Sequence, residues 1–280
     1  MAMIIVRKNQ IIGLIETLRK IYGDKEINSK QCSDLRKFIK IFVNFMKVTI
    51  CFLNISTIIK CFLFGVNHVK EVLWIPSCFD GIFTLILVNV WSCFTSVTSL
   101  SLHLGCEVMI VTLITLTAIA FENFYDEIQR FEENEKLKEF IQKHNKLFEL
   151  SSKLKSTLSS MLLMHFLQSS LGICIVGFEI LTSNDVNKRF AFLTFLCANI
   201  CHIFALCYFS QKVIDASQNI SKGIFEICDW YATKNMKLRR IFFLMILRSQ
   251  KVENLTARGF KDISLESFSS VGEIKSEVFE

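Results

Sequence analysis

What this chain lacks narrows its class. Proline occurs once in 280 residues, against 27 phenylalanines, and half of the chain is apolar. With a mean hydropathy of +0.41, that is not the composition of a soluble domain of this size, and the bilayer is the expected solvent. No CxxC pair occurs among the eleven cysteines, many of which lie inside apolar runs (Cys51, Cys61, Cys93, Cys106, Cys174, Cys197, Cys201, Cys207). They read as small apolar fillers, against a disulfide framework or a metal site. There is no Walker loop, nucleophile elbow, HExxH or pair of carboxylates in a plausible cleft, so enzyme chemistry has no foothold and no cofactor is implied. The start, MAMIIVRKNQIIGLIETLRK, holds only a few apolar residues before Arg7 and Lys8, so no cleavable signal is expected. The net charge of +6 sits in blocks, and nucleic acid is a poor match for so apolar a chain.

What the chain does have is apolar length. Four stretches reach the roughly 20 residues that a membrane helix needs: Ile39 to Phe64, Gly81 to Phe121, Ser156 to Phe178, and Phe190 to Gln211. The last two contain no Asp, Glu, Lys or Arg, whereas Lys47 and Lys60 in the first must snorkel or face protein. Lys and Arg number nine in Met1 to Lys40, one in Gly65 to Asp80, seven in Glu122 to Lys155, two in Glu179 to Arg189, and eight in Lys212 to Lys251. Basic residues accumulate on the cytoplasmic side of short loops, so this alternation predicts both termini inside the cell.

The second stretch is too long for one crossing, because 41 residues make a helix of about 60 Å. A hairpin at Leu104 to Glu107 would put the seven-charge loop outside. The charge pattern therefore favours one helix that leaves the membrane near Glu107, there hydrated, and continues to about Phe131. Helical stripes through Leu137, Phe140, Ile141, His144, Leu147 and Phe148, and through Val213, Ile220, Ile224, Ile227 and Tyr231, predict similar extensions. Ile241 to Leu247, between Arg239, Arg240 and Arg248, is too short to cross and reads as a buried cytoplasmic helix. The expected fold is an all-α, polytopic membrane bundle with four transmembrane helices (about 39–64, 82–106, 156–178 and 190–211) and long cytoplasmic extensions. Segments 1–38, 107–155 and 212–280 lie in the cytoplasm, and the apolar faces that reach water form a subunit interface.

The order of short motifs adds a family. The segment LIETLRKIYGD, then KEFIQKHNKLFELSSKL, and a tail carrying CDWY at Cys228 to Tyr231, LRRIFFLMILRSQK and the LTARGF turn at Leu255 to Phe260 resemble insect odorant receptors. These are ligand-gated channel subunits with an intracellular amino terminus. The resemblance makes the four spans the family's third to sixth helices, with the first two and the pore-lining seventh absent. It implies a plasma-membrane receptor that binds a small volatile apolar ligand and joins a co-receptor in a heteromeric cation channel. A non-conducting fragment that docks on the co-receptor, and a gustatory receptor, are the alternatives.

On that resemblance, pocket candidates lie near the outer ends of the spans: Ser56, Ile59, Phe83, Val90, Trp91, Phe94, Phe192 and Phe195. The competing reading of each is an aromatic or apolar group facing lipid or a neighbouring helix. Partner-interface candidates are Ile224, Ile227, Asp229, Trp230, Tyr231, Phe242 and Phe243, with Asp229 placed to pair with Arg239 or Arg240. His103, His165 and His202 read as hydrogen-bonded core histidines rather than metal ligands. The triplets at Asn54, Asn219 and Asn254 fall in the membrane or cytoplasm and are expected to stay unglycosylated.

Overall fold

The structure is a computed structural model that describes residues 7–22, isolated helical positions between 37 and 55, and residues 82–130, 137–183, 186–227, 236–251, 253–259 and 262–269. The first expected span, 39–64, lies mostly outside the described residues. The main helices are α1 (Lys8–Tyr22), α2 (Ile82–Ile128), α3 (Leu137–Thr182), α4 (Val186–Ile227) and α5 (Met236–Gln250). Among the described residues the only β pairing is a single bridge, Thr256 to Asp262.

Three of these helices are far longer than one crossing. At about 1.5 Å per residue, α2 with 47 residues, α3 with 46 and α4 with 42 each exceed twice the thickness of the hydrocarbon layer. The helix runs unbroken through Leu104 to Glu107, so the hairpin alternative does not form. α2, α3 and α4 are each long and apolar enough to cross a membrane. α5, at 15 residues, is too short, as expected from its sequence.

Residues divide into two compact units, Met1–Ser29 with Val111–Glu280, and Lys30–Ile110. In the second unit, the described part of α2 is rich in Ser and Thr, yet its hydroxyls bond back to the helix itself. Thr95 donates to the Trp91 carbonyl at 3.0 Å, Thr98 to Phe94 at 2.8 Å and Ser101 to Val97 at 2.7 Å. Hydroxyls satisfied this way can sit where no water reaches. Glu107 differs from expectation: it is 1% exposed rather than hydrated, and its carboxylate lies 2.6 Å from His103 Nδ1, one turn earlier on the same helix. A partner on its own helix lets the acid be buried where water does not solvate it.

In the first unit α3 and α4 form an antiparallel pair, α4 also packs on α5, and α1 packs on α3. Arg189, in the first turn of α4, donates through Nε to the Ser183 carbonyl at 2.6 Å, next to the end of α3. α1 lays Ile11, Leu14 and Leu18 against the bundle, the spacing expected of one buried stripe. Its guanidinium neighbour Arg7 donates to the backbone carbonyls of Ser156 and Thr157 and to Ser160 Oγ, tying the start of α1 to α3.

Candidate functional site

Burial divides α3 and α4 sharply along their length. On α3, Phe140, His144, Leu147, Phe148, Leu154, Leu158 and Leu162 are buried, after which Met164, Leu167, Leu171, Ile175, Phe178 and Leu181 are all exposed. α4 runs the other way: Phe190, Leu193, Phe195, Ile200 and Phe204 are exposed, and Leu206, Phe209, Val213, Ile220 and Ile224 are buried. Because the pair is antiparallel, the two exposed apolar halves coincide, as do the two packed halves. An apolar surface that continuous is covered by something other than water.

The packed half is built on aromatic contacts between helices. Phe124 stacks on Phe140 with ring centroids 4.9 Å apart, Phe121 meets Phe148 edge-on at 5.5 Å, and His144 lies 4.8 Å from Phe148. Full burial of each such side chain is worth about 1.5–3 kcal/mol. Gly223 on α4 lets α2 come close, since a Cβ there would sit 2.7 Å from the Tyr125 ring. The apolar end of α2 is thus solvated by protein: Ile114, Phe121, Phe124 and Ile128 are all buried.

A polar seam fastens α5 and the segment after it to α3. His144 Nε2 lies 3.0 Å from Ser249 Oγ, which itself donates to the Met245 carbonyl at 2.8 Å, so the imidazole is the donor, protonated on Nε2. Burial, helped by the nearby Arg248 cation, pushes His144 down to about 4 and keeps it neutral, although a hydrogen bond with Asn145 works the other way. Ser151 donates to Glu253 at 3.1 Å, and Arg248 pairs with the same carboxylate at 3.3 Å while lying over the Phe148 ring. The LTARGF turn then folds back: Ile263 N–H donates to the Leu255 carbonyl at 2.8 Å, and Arg258 N–H to Ser159 Oγ on α3 at 2.9 Å. Further along, Phe268 meets Phe204 of α4 at 5.5 Å. The motif that carries the resemblance is therefore a clamp across α3 and α4 near the level where burial changes.

The sequence candidates fall unevenly on this frame. Ser56 and Ile59 lie outside the described residues. Phe83 is on α2, and Val90, Trp91 and Phe94 are exposed on it, with the Trp91 and Phe94 rings 6.3 Å apart. Phe192 is half-buried and Phe195 exposed on the apolar half of α4. Ile227 ends α4, while Asp229, Trp230 and Tyr231 lie outside the described residues. Ile224 and Phe242 are in the interior of the chain's own bundle, at 0% and 2% exposed, whereas adjacent Phe243 is 50% exposed. Leu244 and Leu247 share that outer face of α5, and neither was singled out from sequence, where all of IFFLMIL is equally apolar. His202 is buried and faces the half-buried His165 at 6.0 Å between ring centroids, which places both inside the helix pair.

The family model described as 7tm Odorant receptor matches residues 1–274. Putative odorant receptor 92a of Drosophila melanogaster is 26% identical over 181 residues, covering 62% of this chain and 44% of the relative. Odorant receptor 85b of the same organism is 24% identical over 193 residues, covering 66% and 49%. The chain spans about half the length of the curated relatives it matches. Among solved structures, the insect olfactory receptor OR5 from Machilis hrabei matches with a TM-score of 0.78 at 14% identity, over 99% of this chain and 75% of that one. Its complex with eugenol matches at 0.76 and 13% identity, over 98% and 74%. The likeness shows a shared helical membrane-bundle fold, and the chain belongs to the 7tm odorant receptor family, whose members are receptors and not enzymes.

Proposed function

We propose that this chain serves as an odorant receptor subunit, binding a small volatile apolar molecule in its membrane half and joining a co-receptor in a heteromeric ligand-gated cation channel of the plasma membrane. The observation that carries this reading is the division of α3 and α4 into an exposed apolar half and a packed half. The first suits lipid and a ligand recognised by shape and aromatic contact; the second suits a rigid base that passes helix shifts to neighbouring subunits. Phe83, Val90, Trp91, Phe94, Phe192 and Phe195 are the ligand-contact candidates that fall on described helices. The solved relative in complex with eugenol is consistent with a ligand of small size.

Both termini are placed in the cytoplasm, on the alternation of Lys and Arg between loops. The packed half then lies inside the cell, and the outer face of α5, with Phe243, Leu244 and Leu247, is the surface offered to the co-receptor. Phe243→Ala with Leu247→Ala is expected to weaken co-purification. The test of the whole reading is coexpression with a co-receptor and recording of odour-evoked cation current. Current that appears only with both chains supports it. Co-purification without current, across a broad odorant panel, replaces it with passive docking.

A further inference from the structure

A surface cleft of about 410 Å³ opens where α1, α3 and the LTARGF turn meet, and it belongs neither to the ligand half nor to the α5 face. Three cations line it, Arg7, Lys155 and Arg258, together with the hydroxyls of Ser152, Ser156 and Ser159. Among the described residues lining it there is no carboxylate. Elsewhere on the bundle Lys153 pairs with Glu149 at 2.8 Å, Lys143 with Glu127, and Arg248 with Glu253. No described carboxylate pairs with Lys155 or Arg258.

The three parts of the cleft are held in place. Arg7 is anchored on the α3 backbone, and the Arg258 N–H is bonded to Ser159 Oγ. Arg258 and Gly259 both have positive φ, 55° and 83°, which turns the chain back over α3 at the rim. A non-glycine residue in that region costs energy and persists where its surroundings demand it.

We infer that this cleft binds a phosphate group, and that the phosphate is that of an anionic phospholipid headgroup. Clustered Lys, Arg and Ser suit phosphate, because guanidinium and hydroxyl groups supply directed donors and the cations supply charge. The lipid source follows from depth. The exposed apolar face of α3 begins at Met164, and Ser156 lies eight residues before it, about 12 Å along the helix. The headgroup region adds about 5–8 Å on each side of the hydrocarbon, so the cleft sits a few ångströms beyond it, within reach of a phosphorylated headgroup that projects from the surface. On the orientation proposed above, that leaflet is the anionic cytoplasmic one.

The full chain, purified in neutral detergent, is tested by binding a fluorescent phosphatidylinositol bisphosphate, with soluble inositol trisphosphate as competitor. Lys155→Gln with Arg258→Gln is expected to weaken binding about tenfold or more, since each basic residue near an anionic surface contributes on the order of a fivefold effect. Lys153→Gln removes one charge from the same helix outside the cleft and is expected to change binding less than about twofold on the same scale. Unchanged affinity in the double variant, with its melting temperature retained, overturns the site. An equal loss in Lys153→Gln also overturns it, by reducing the effect to general charge. Competition by inositol trisphosphate at equal concentration overturns the lipid assignment, whereas lipid binding that resists it supports the assignment. None of these readouts involves odour-evoked current, so they stand or fall apart from the receptor reading.

Discussion

The two halves of α3 are solvated by different media: Phe140 to Leu162 sets Lys143, Lys146, Glu149, Lys153 and Lys155 beside its apolar stripe, whereas Met164 to Leu181 has Glu179 as its one charged residue. From Phe140 to Leu162 most of its large side chains are buried in protein; from Met164 to Leu181 most are exposed or half-buried, Val176 being buried. α4 repeats the division in reverse. An apolar stripe flanked by charges finds its cover in protein, and an apolar run almost free of them is left to the acyl chains. The small hydroxyls follow the same logic. Thr182 donates to the Phe178 carbonyl at 2.9 Å and Thr194 to Phe190 at 3.0 Å in the exposed halves, closing polar groups onto their own helix. In the packed half Ser151 donates across to Glu253, and Ser249, besides donating to Met245 of its own helix, accepts from His144 on α3.

The largest expected effect contrasts one aromatic from each half. Phe148→Ala removes a ring that touches Phe121, His144 and Arg248, and is expected to destabilise the chain by about 3–5 kcal/mol, read as thermal unfolding in detergent. Phe178→Ala, on the exposed half of the same helix, is expected to change stability by less than about 0.5 kcal/mol. Comparable losses at both positions would erase the distinction between the halves.

Protonation gives the next effect and concerns only the packed half. The folded-state value for His144 is about 4, below its ordinary 6.5, so the unfolded chain binds the proton more readily between those limits. Stability from this residue is complete above pH 6.5 and is lost as pH falls toward 4, by at most about 3 kcal/mol. His144→Gln should flatten that part of the profile. Melting curves of the two proteins that run parallel across the interval would show that the buried imidazole does not set it.

A close approach comes third. Gly223→Val drives a side chain into the Tyr125 ring and is expected to cost about 1–3 kcal/mol. Tyr125→Ala, added to it, should recover part of that loss, since the pair shares one contact. Failure of the second change to recover any stability would locate the strain elsewhere.

How much of this was legible before the fold can be read residue by residue. Of the stripe Leu137, Phe140, Ile141, His144, Leu147 and Phe148, four are buried and Leu137 and Ile141 are half-buried at its edge, because a periodic apolar face has to find cover. The unbroken α2 followed from loop charge, since a hairpin would have moved seven cations across the membrane. Glu107 is buried rather than hydrated: a single acid in an apolar run looks like an exit point, yet His103 stands one turn earlier at the i,i+4 spacing that lets the two side chains meet. Phe242 and Phe243 are adjacent and chemically identical, so nothing local could say that the first faces inward and the second outward. The basic cleft was beyond sequence reading altogether, because it assembles residues from positions 7, 152–159 and 256–259.

The smallest effect tests the medium itself. Gly13 on α1 and Gly172 on α3 both lie in helices with nothing within 4 Å of an added Cβ, so neither substitution to Ala meets a steric cost. Where the helix must form from an unfolded chain in water, Gly→Ala gains about 0.8–1 kcal/mol, chiefly by narrowing the unfolded ensemble. Where the segment sits in lipid, the dissociated chain is still helical, because hydrocarbon leaves its backbone groups no other partner. That removes the source of the gain. Gly13→Ala is therefore expected to stabilise and Gly172→Ala to be neutral, measured by unfolding of the full chain in lipid nanodiscs. An equal gain at both sites would place water, and not acyl chains, against the exposed half of α3.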